Sequence, residues 1–195
     1  MKRSLLVISV LAVSISFGMA DDTKVKAKND SKLVTGTGVC TKCELGETAK
    51  CSNAVQVKGE DGKTTTYYIA DGELSKKFHK TVCQGPAKGI GVTGAVQEEG
   101  GKLTITPTAI GKLQTLSGTG LCTKCALGET KKCSNALQVK GKDGKITTYY
   151  ITHDAISKAY HKNVCGGPAP TQATGLVSQD KKKQIITVSK ISKKS

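Results

Sequence analysis

All eight cysteines and two of the three histidines of this 195-residue chain fall into one repeated pattern. Cys40, Cys43, Cys51, His79 and Cys83 read C-x2-C-x7-C-x27-H-x3-C. Cys122, Cys125, Cys133, His161 and Cys165 repeat it 82 residues further on, without a gap. Thiolate sulfur and imidazole nitrogen are the donors that zinc and other thiophilic ions take, usually four in a tetrahedron. Cys40-Thr41-Lys42-Cys43 puts two sulfurs at knuckle spacing, with Gly46 close behind. His79 and Cys83 are four apart in a segment of helical pattern, one turn apart on one face. Three loop thiolates with either Cys83 or His79 complete the count, so one soft metal ion per repeat, zinc by its donors, is the first reading.

Two other chemistries use the same thiols. An even cysteine count in an exported chain is the ordinary mark of disulfides, for instance Cys43–Cys51 and Cys40–Cys83, although four cysteines allow three pairings. On the loop-entropy model these links contribute about 2.5 and about 4 kcal/mol. A structural zinc contributes on the order of 10 kcal/mol. Either suffices to hold a thin core, so energetics does not choose between them. With disulfides there would be no metal, and the domain would be a stapled module binding a protein partner or an anionic envelope surface. Histidine puts the metal reading first, because disulfides do not need it. Thiol redox chemistry comes last: this C-x2-C does not open a helix after a strand, which is how the thioredoxin motif lowers its thiol pKa. C-T-K-C-E is not a haem attachment either, since no histidine follows the second cysteine. No calcium loop, nucleophile elbow or paired carboxylates are present, and no enzyme is expected.

The elements that must position these residues repeat with them. Leu33–Cys40 alternates weakly as a first strand, Cys43–Cys51 is a loop, and Ala54–Lys58 sets Val55 and Val57 on one face. The Gly59-Glu60-Asp61-Gly62 turn joins that strand to Lys63–Ile69 as a hairpin, with Thr65, Tyr67 and Ile69 on one face and Tyr68 on the other, so that one tyrosine is core and the other exposed. Next comes a short amphipathic helix with Asp71 as its cap and a stripe of Leu74, Phe78 and Val82, matched by Ile156, Tyr160 and Val164. Gly85-Pro86 and Gly167-Pro168 end it. Gly91–Gln97 and Lys102–Ile110 form two further strands, and Pro107 marks an edge or a bulge. After the prolines the copies realign one residue shorter, Val92-Thr93-Gly94 against Ala173-Thr174-Gly175. Three strands, a helix and two strands is the order of an OB-fold. The expected fold is therefore mainly β with one short helix per repeat, as two tandem five-stranded OB-like barrels. Their bounds are 33–111 and 115–192, with a short linker between.

Composition sets the compartment and the partners. Lys2-Arg3, the apolar run Leu5–Phe17 and Gly18-Met19-Ala20 have the form of a signal peptide over residues 1–20. Residues 21–32 are a polar lead-in expected to be disordered, and Lys190–Ser195 reads as a frayed tail. No later stretch is long and apolar enough to span a bilayer as a helix. The protein is expected in the periplasm or outside a bacterial cell, where disulfides are permitted. The formal net charge is +15, or +13 without Lys2 and Arg3. The lysines are dispersed over both repeats, which fits a solvated basic surface and an anionic envelope component better than nucleic acid. There is no tryptophan, and repeats of about 80 residues with so few aromatics need a staple or a metal.

The Cys40-x2-Cys43 pair, Cys51 followed by Ala54-Val55, the Gly62-Lys63 turn before a tyrosine-bearing strand, His79 before Cys83, and Val92-Thr93-Gly94-x-Val96 together resemble a small exported bacterial domain of unknown function, here in tandem. The resemblance implies the fold and export. Members of that family carry a histidine-rich stretch before the last cysteine. This chain keeps His79 and His161 at that place, with His153 extra in the second copy.

Overall fold

The computed structural model describes residues 31–194. The expected signal peptide and all but the end of the expected polar lead-in lie outside the described residues. Two closed five-stranded barrels follow one another along the chain. In the first, β1 (Lys32–Cys40), β2 (Asn53–Lys58), β3 (Thr64–Ile69), β4 (Ala87–Glu99) and β5 (Lys102–Lys112) close in the order β1-β2-β3-β5-β4, and α1 (Glu73–Val82) links β3 to β4. All neighbouring strands are antiparallel except β3 and β5, which run parallel through Tyr67↔Leu103 to Ile69↔Ile105. This is the OB-like arrangement. The second barrel repeats it with β6 (Gln114–Cys122), β7 (Asn135–Lys140), β8 (Ile146–Ile151), α2 (Ala155–Tyr160), β9 (Ala169–Asp180) and β10 (Lys183–Lys193).

Alternating apolar residues fill each barrel. Val34, Val55, Ile69, Phe78, Val82, Ile90, Val92 and Ile105 form the first core, with Tyr67 packed against it. Leu137, Ile151, Ala173, Ile186 and Val188 form the second. Closing so small a barrel needs strands that approach without side chains between them. A Cβ at Gly94 would run into the Thr106 carbonyl of β5, and one at Gly36 into the Gln56 carbonyl of β2. Pro107 lies opposite Gly94, where the β4–β5 register shifts, and beyond the last residue that β3 pairs. Its missing N–H therefore leaves no ladder bond unmade.

Four local expectations are corrected. Gly72, not Asp71, occupies the N-cap of α1, and no side chain caps it. In the second repeat Asp154 takes that position and accepts the Ser157 N–H at 2.8 Å. The helix stripe is also rotated. Leu74 and Ile156 are exposed, whereas Ser75 and Ser157 are buried beside Phe78 and Tyr160. Polar partners in the barrel wall draw the serines inward. Val164 lies beyond α2, which tightens into a 3-10 turn at His161–Asn163. Finally, Lys190–Lys193 is not a frayed tail but the end of β10, paired with Thr171–Thr174 of β9, and Lys32, at the end of the expected lead-in, already belongs to β1. Only Leu113 separates β5 from β6.

Candidate metal centre

The pairing Cys40↔Asn53 closes the β1–β2 ladder, so the loop Thr41–Ser52 leaves and re-enters the sheet at adjacent positions. Cys40 ends one strand, Cys51 precedes the other, and Cys43 lies on the first turn of the loop. That turn is wound by backbone bonds from Glu44 N to Cys40 O and from Glu47 N to Thr41 O. Thr48 donates to the Lys50 carbonyl, so the buried Thr41 hydroxyl must donate to Thr48 Oγ1 at 2.7 Å. Tyr68 reaches back from β3 and donates to Glu47 at 2.6 Å. The second repeat makes the same bonds with Thr123, Thr130, Tyr150 and Glu129. Opposite this loop, α1 starts just past Ile69, which pairs with Asn53. The helix thereby brings His79 down onto the same end of the barrel.

The donor atoms converge. The sulfurs of Cys40, Cys43 and Cys51 lie within 4.8 Å of one another. In the second repeat the group within that distance is Cys122, Cys133 and His161. There Cys125 stands beside the group, its backbone N–H donating to Cys122 Sγ at 3.5 Å and its thiol perturbed by both Cys122 and Cys133. In the first repeat His79 and Cys51 line one small cleft with Asn53 and Ser75. Zinc with bonds of about 2.3 Å to sulfur holds tetrahedral donors roughly 3.8 Å apart. The observed spacing is within about an ångström of that.

Asn135 fixes which nitrogen of His161 is offered. Its amide Nδ2 donates to the Ser157 carbonyl at 2.6 Å and to Ser157 Oγ at 3.0 Å. Its Oδ1, an acceptor only, lies 2.6 Å from His161 Nδ1. Nδ1 must therefore carry the proton, and Nε2 of the neutral ring keeps its lone pair. Nε2 is buried and has no hydrogen-bond partner. The chain Asn53, Ser75 and His79 is built the same way, with His79 Nδ1 at 2.9 Å from Asn53 Oδ1. Metal-binding histidines are oriented by such partners. The asparagine and serine were missed from the sequence, although each recurs at the same place in both copies, directly after Cys-Ser and four residues before histidine.

The clustered thiols perturb one another. Burial raises the Cys40 thiol, but N–H donors from Cys43 and Lys42 and the neighbouring thiols of Cys43 and Cys51 outweigh it, and the thiol lies below its usual 9.0. Cys43 is pushed up to about 11, first by its hydrogen bond with Cys40, then by the charge there, burial and Cys51. Cys122 and Cys125 repeat this. One negative charge is therefore easily held, and a second needs a cation beside it.

Cys83 and Cys165 stand outside both groups and are exposed. The donors gather at the level of Ser75–His79, and Cys83 sits one turn past it as the C-cap of α1. His153 is exposed at the start of the second helical segment and takes no part in either group. All eight cysteines are free.

These features define a class: tandem OB-like barrels, each carrying a cysteine–histidine cluster between its first hairpin and its helix. Residues 34–110 and 116–191 each match one model, described as a family of unknown function (DUF6370), and the chain belongs to that family. No curated protein matches the sequence. Among solved structures, a deletion mutant of the single-stranded DNA-binding protein from Thermus aquaticus matches at 10% identity and a TM-score of 0.30, over 87% of this chain and 89% of that one. Among the described residues no helix is long and apolar enough to cross a membrane.

Proposed function

We propose that this is an exported, non-enzymatic protein in which each repeat binds one thiophilic metal ion, zinc by its donor set. Cys40, Cys43, Cys51 and His79 hold the first ion. Cys122, Cys125, Cys133 and His161 hold the second. The observation that carries the reading is His161, which brings a ring nitrogen within 4.8 Å of the Cys122 and Cys133 sulfurs and whose Nε2 is buried without a hydrogen-bond partner. An orphaned buried acceptor costs about 1–3 kcal/mol, a cost that coordination removes. Three clustered thiols also count against full disulfide pairing, since one of any three is left over. Four protein donors close the coordination shell, which is the pattern of structural rather than catalytic zinc.

The test is metal analysis and thiol alkylation on the mature chain, isolated without added chelator. Two equivalents of metal and eight alkylatable thiols are expected. His79→Ala and His161→Ala should each lower occupancy of one site and leave the other filled. No metal, no free thiol and a mass eight daltons below the reduced form would replace the metal reading with four disulfides and a stapled binding module.

A further inference from the structure

The helix α1 serves two surfaces. Ser75 and His79 turn towards Asn53 and the cysteine loop, whereas Leu74, Lys77, Phe78 and Thr81 line a groove between the helix and the β4–β5 pair. The groove holds about 600 Å³, within the range of small-ligand sites. Phe78, Ile90 and Ile110 give it an apolar floor, and Leu74 stays 37% exposed at its mouth. Lys77, Lys88 and Lys112 are the charged residues of its lining, which among the described residues contains no carboxylate.

The second repeat keeps only a smaller cleft at this place, about 400 Å³ between Ile156, Ala159, Tyr160, Asn163 and Ile191, with no lysine in its lining. By strand register Ile90, opposite Gly36, corresponds to Thr171, opposite Gly118. Phe78 corresponds to Tyr160, and the Tyr160 and Thr171 hydroxyls bond at 2.6 Å. A polar pair thus stands where the first repeat has an apolar floor. Lys77 and Lys88 become Ala159 and Pro170, leaving Lys193 as the counterpart of Lys112. The residue that makes the first repeat one longer is Gly89, which bulges out of β4 between Lys88 and Ile90 in a left-handed conformation (φ 70°) open to glycine.

We propose that this groove of the first repeat binds a single-chain amphiphile with an anionic head, an alkyl carboxylate, with its chain on Phe78, Ile90 and Ile110 and its head among the three lysines. Apolar walls reward an alkyl chain by area. A rim of one sign selects the charge of the head. The site contains no cysteine and rests on neither outcome for the metal centre.

Calorimetric titration of the full mature chain, with its metal state as isolated, tests the assignment using dodecanoate below its micelle concentration. One equivalent should bind, and dodecyltrimethylammonium should bind far more weakly. The triple variant Lys77→Ala, Lys88→Ala, Lys112→Ala should weaken dodecanoate by about tenfold, the scale of three exposed charge contacts. Thr81→Trp, which fills the groove from an exposed position, should abolish binding with circular dichroism and metal content unchanged. Equal affinity for the cationic amphiphile, two equivalents of dodecanoate, or binding untouched by Thr81→Trp would each overturn the proposal. So would a dimer that Thr81→Trp dissociates with no dodecanoate uptake by the parent protein, since the groove would then be an interface between copies.

Discussion

At the scale of residues, the proposed metal site would depend on atoms that never touch the metal. Asn135 spends both amide protons on Ser157 and so has only an acceptor left for His161. Asn135→Leu keeps the size but frees the imidazole to take either tautomer. Affinity at the second site should drop about 10–100-fold, as for other losses of a ligand's orienting partner. Competition with a chromophoric chelator measures this. Protons oppose the metal directly, because Cys43 and Cys125, at about 11, are thiols at neutral pH in the absence of an ion. Binding must displace those protons, so apparent affinity rises with pH and the metal is released on acidification. A pH-stat titration of the metal-free chain with zinc should record proton release. Uptake without release would mean that these thiols do not ligate.

At the scale of elements, each cluster is a product of where two segments end. The β1–β2 loop is pinned at Cys40↔Asn53, and the helix is pinned by its first residues against the same asparagine. The helix is short and borrows its stability from this packing. Its N-terminus differs between repeats. Asp154 caps α2, so Asp154→Ala should lower stability by about 1 kcal/mol. Gly72 at the equivalent position is extended and caps nothing. Gly72→Asp should add a few tenths of a kcal/mol, since glycine is already a tolerable cap. Denaturant midpoints of the two variants should move in opposite directions.

At the scale of the whole molecule, the two barrels meet with almost no linker. Leu176 of the second repeat, only 2% exposed, lies against Gly91 and Gly111 of the first, and a Cβ at Gly91 would press on Leu113 and Leu176. Leu176→Ala should cost about 2–5 kcal/mol, the range for a buried leucine. Because that leucine bridges the repeats, the loss should separate their unfolding into two transitions, visible by calorimetry. A single transition at an unchanged temperature would show that the repeats do not stabilise one another across this seam.

The sequence by itself determined the duplication, the strand order and the candidate donors Cys40, Cys43 and Cys51, with Cys83 and His79 left as alternatives for the fourth, and their counterparts. These follow from local signals: glycine and proline punctuation, alternation along strands, and donor types at fixed spacing. Even the bulge at Pro107 was legible, because a residue without an N–H must sit where no ladder bond is needed. What only the tertiary structure decided was which helix face turns inward. Leu74 seemed a core residue by its period, yet Ser75 is buried because Asn53 offers it a hydrogen bond across 22 residues. That rotation turns His79 towards Asn53 at the cysteine end of the barrel, brings its counterpart His161 into the second cluster, and leaves Cys83 and Cys165 outside, a distinction that one-turn spacing on a helix cannot make. The groove was equally hidden, for its floor joins Phe78, Ile90 and Ile110, residues that only barrel closure brings together.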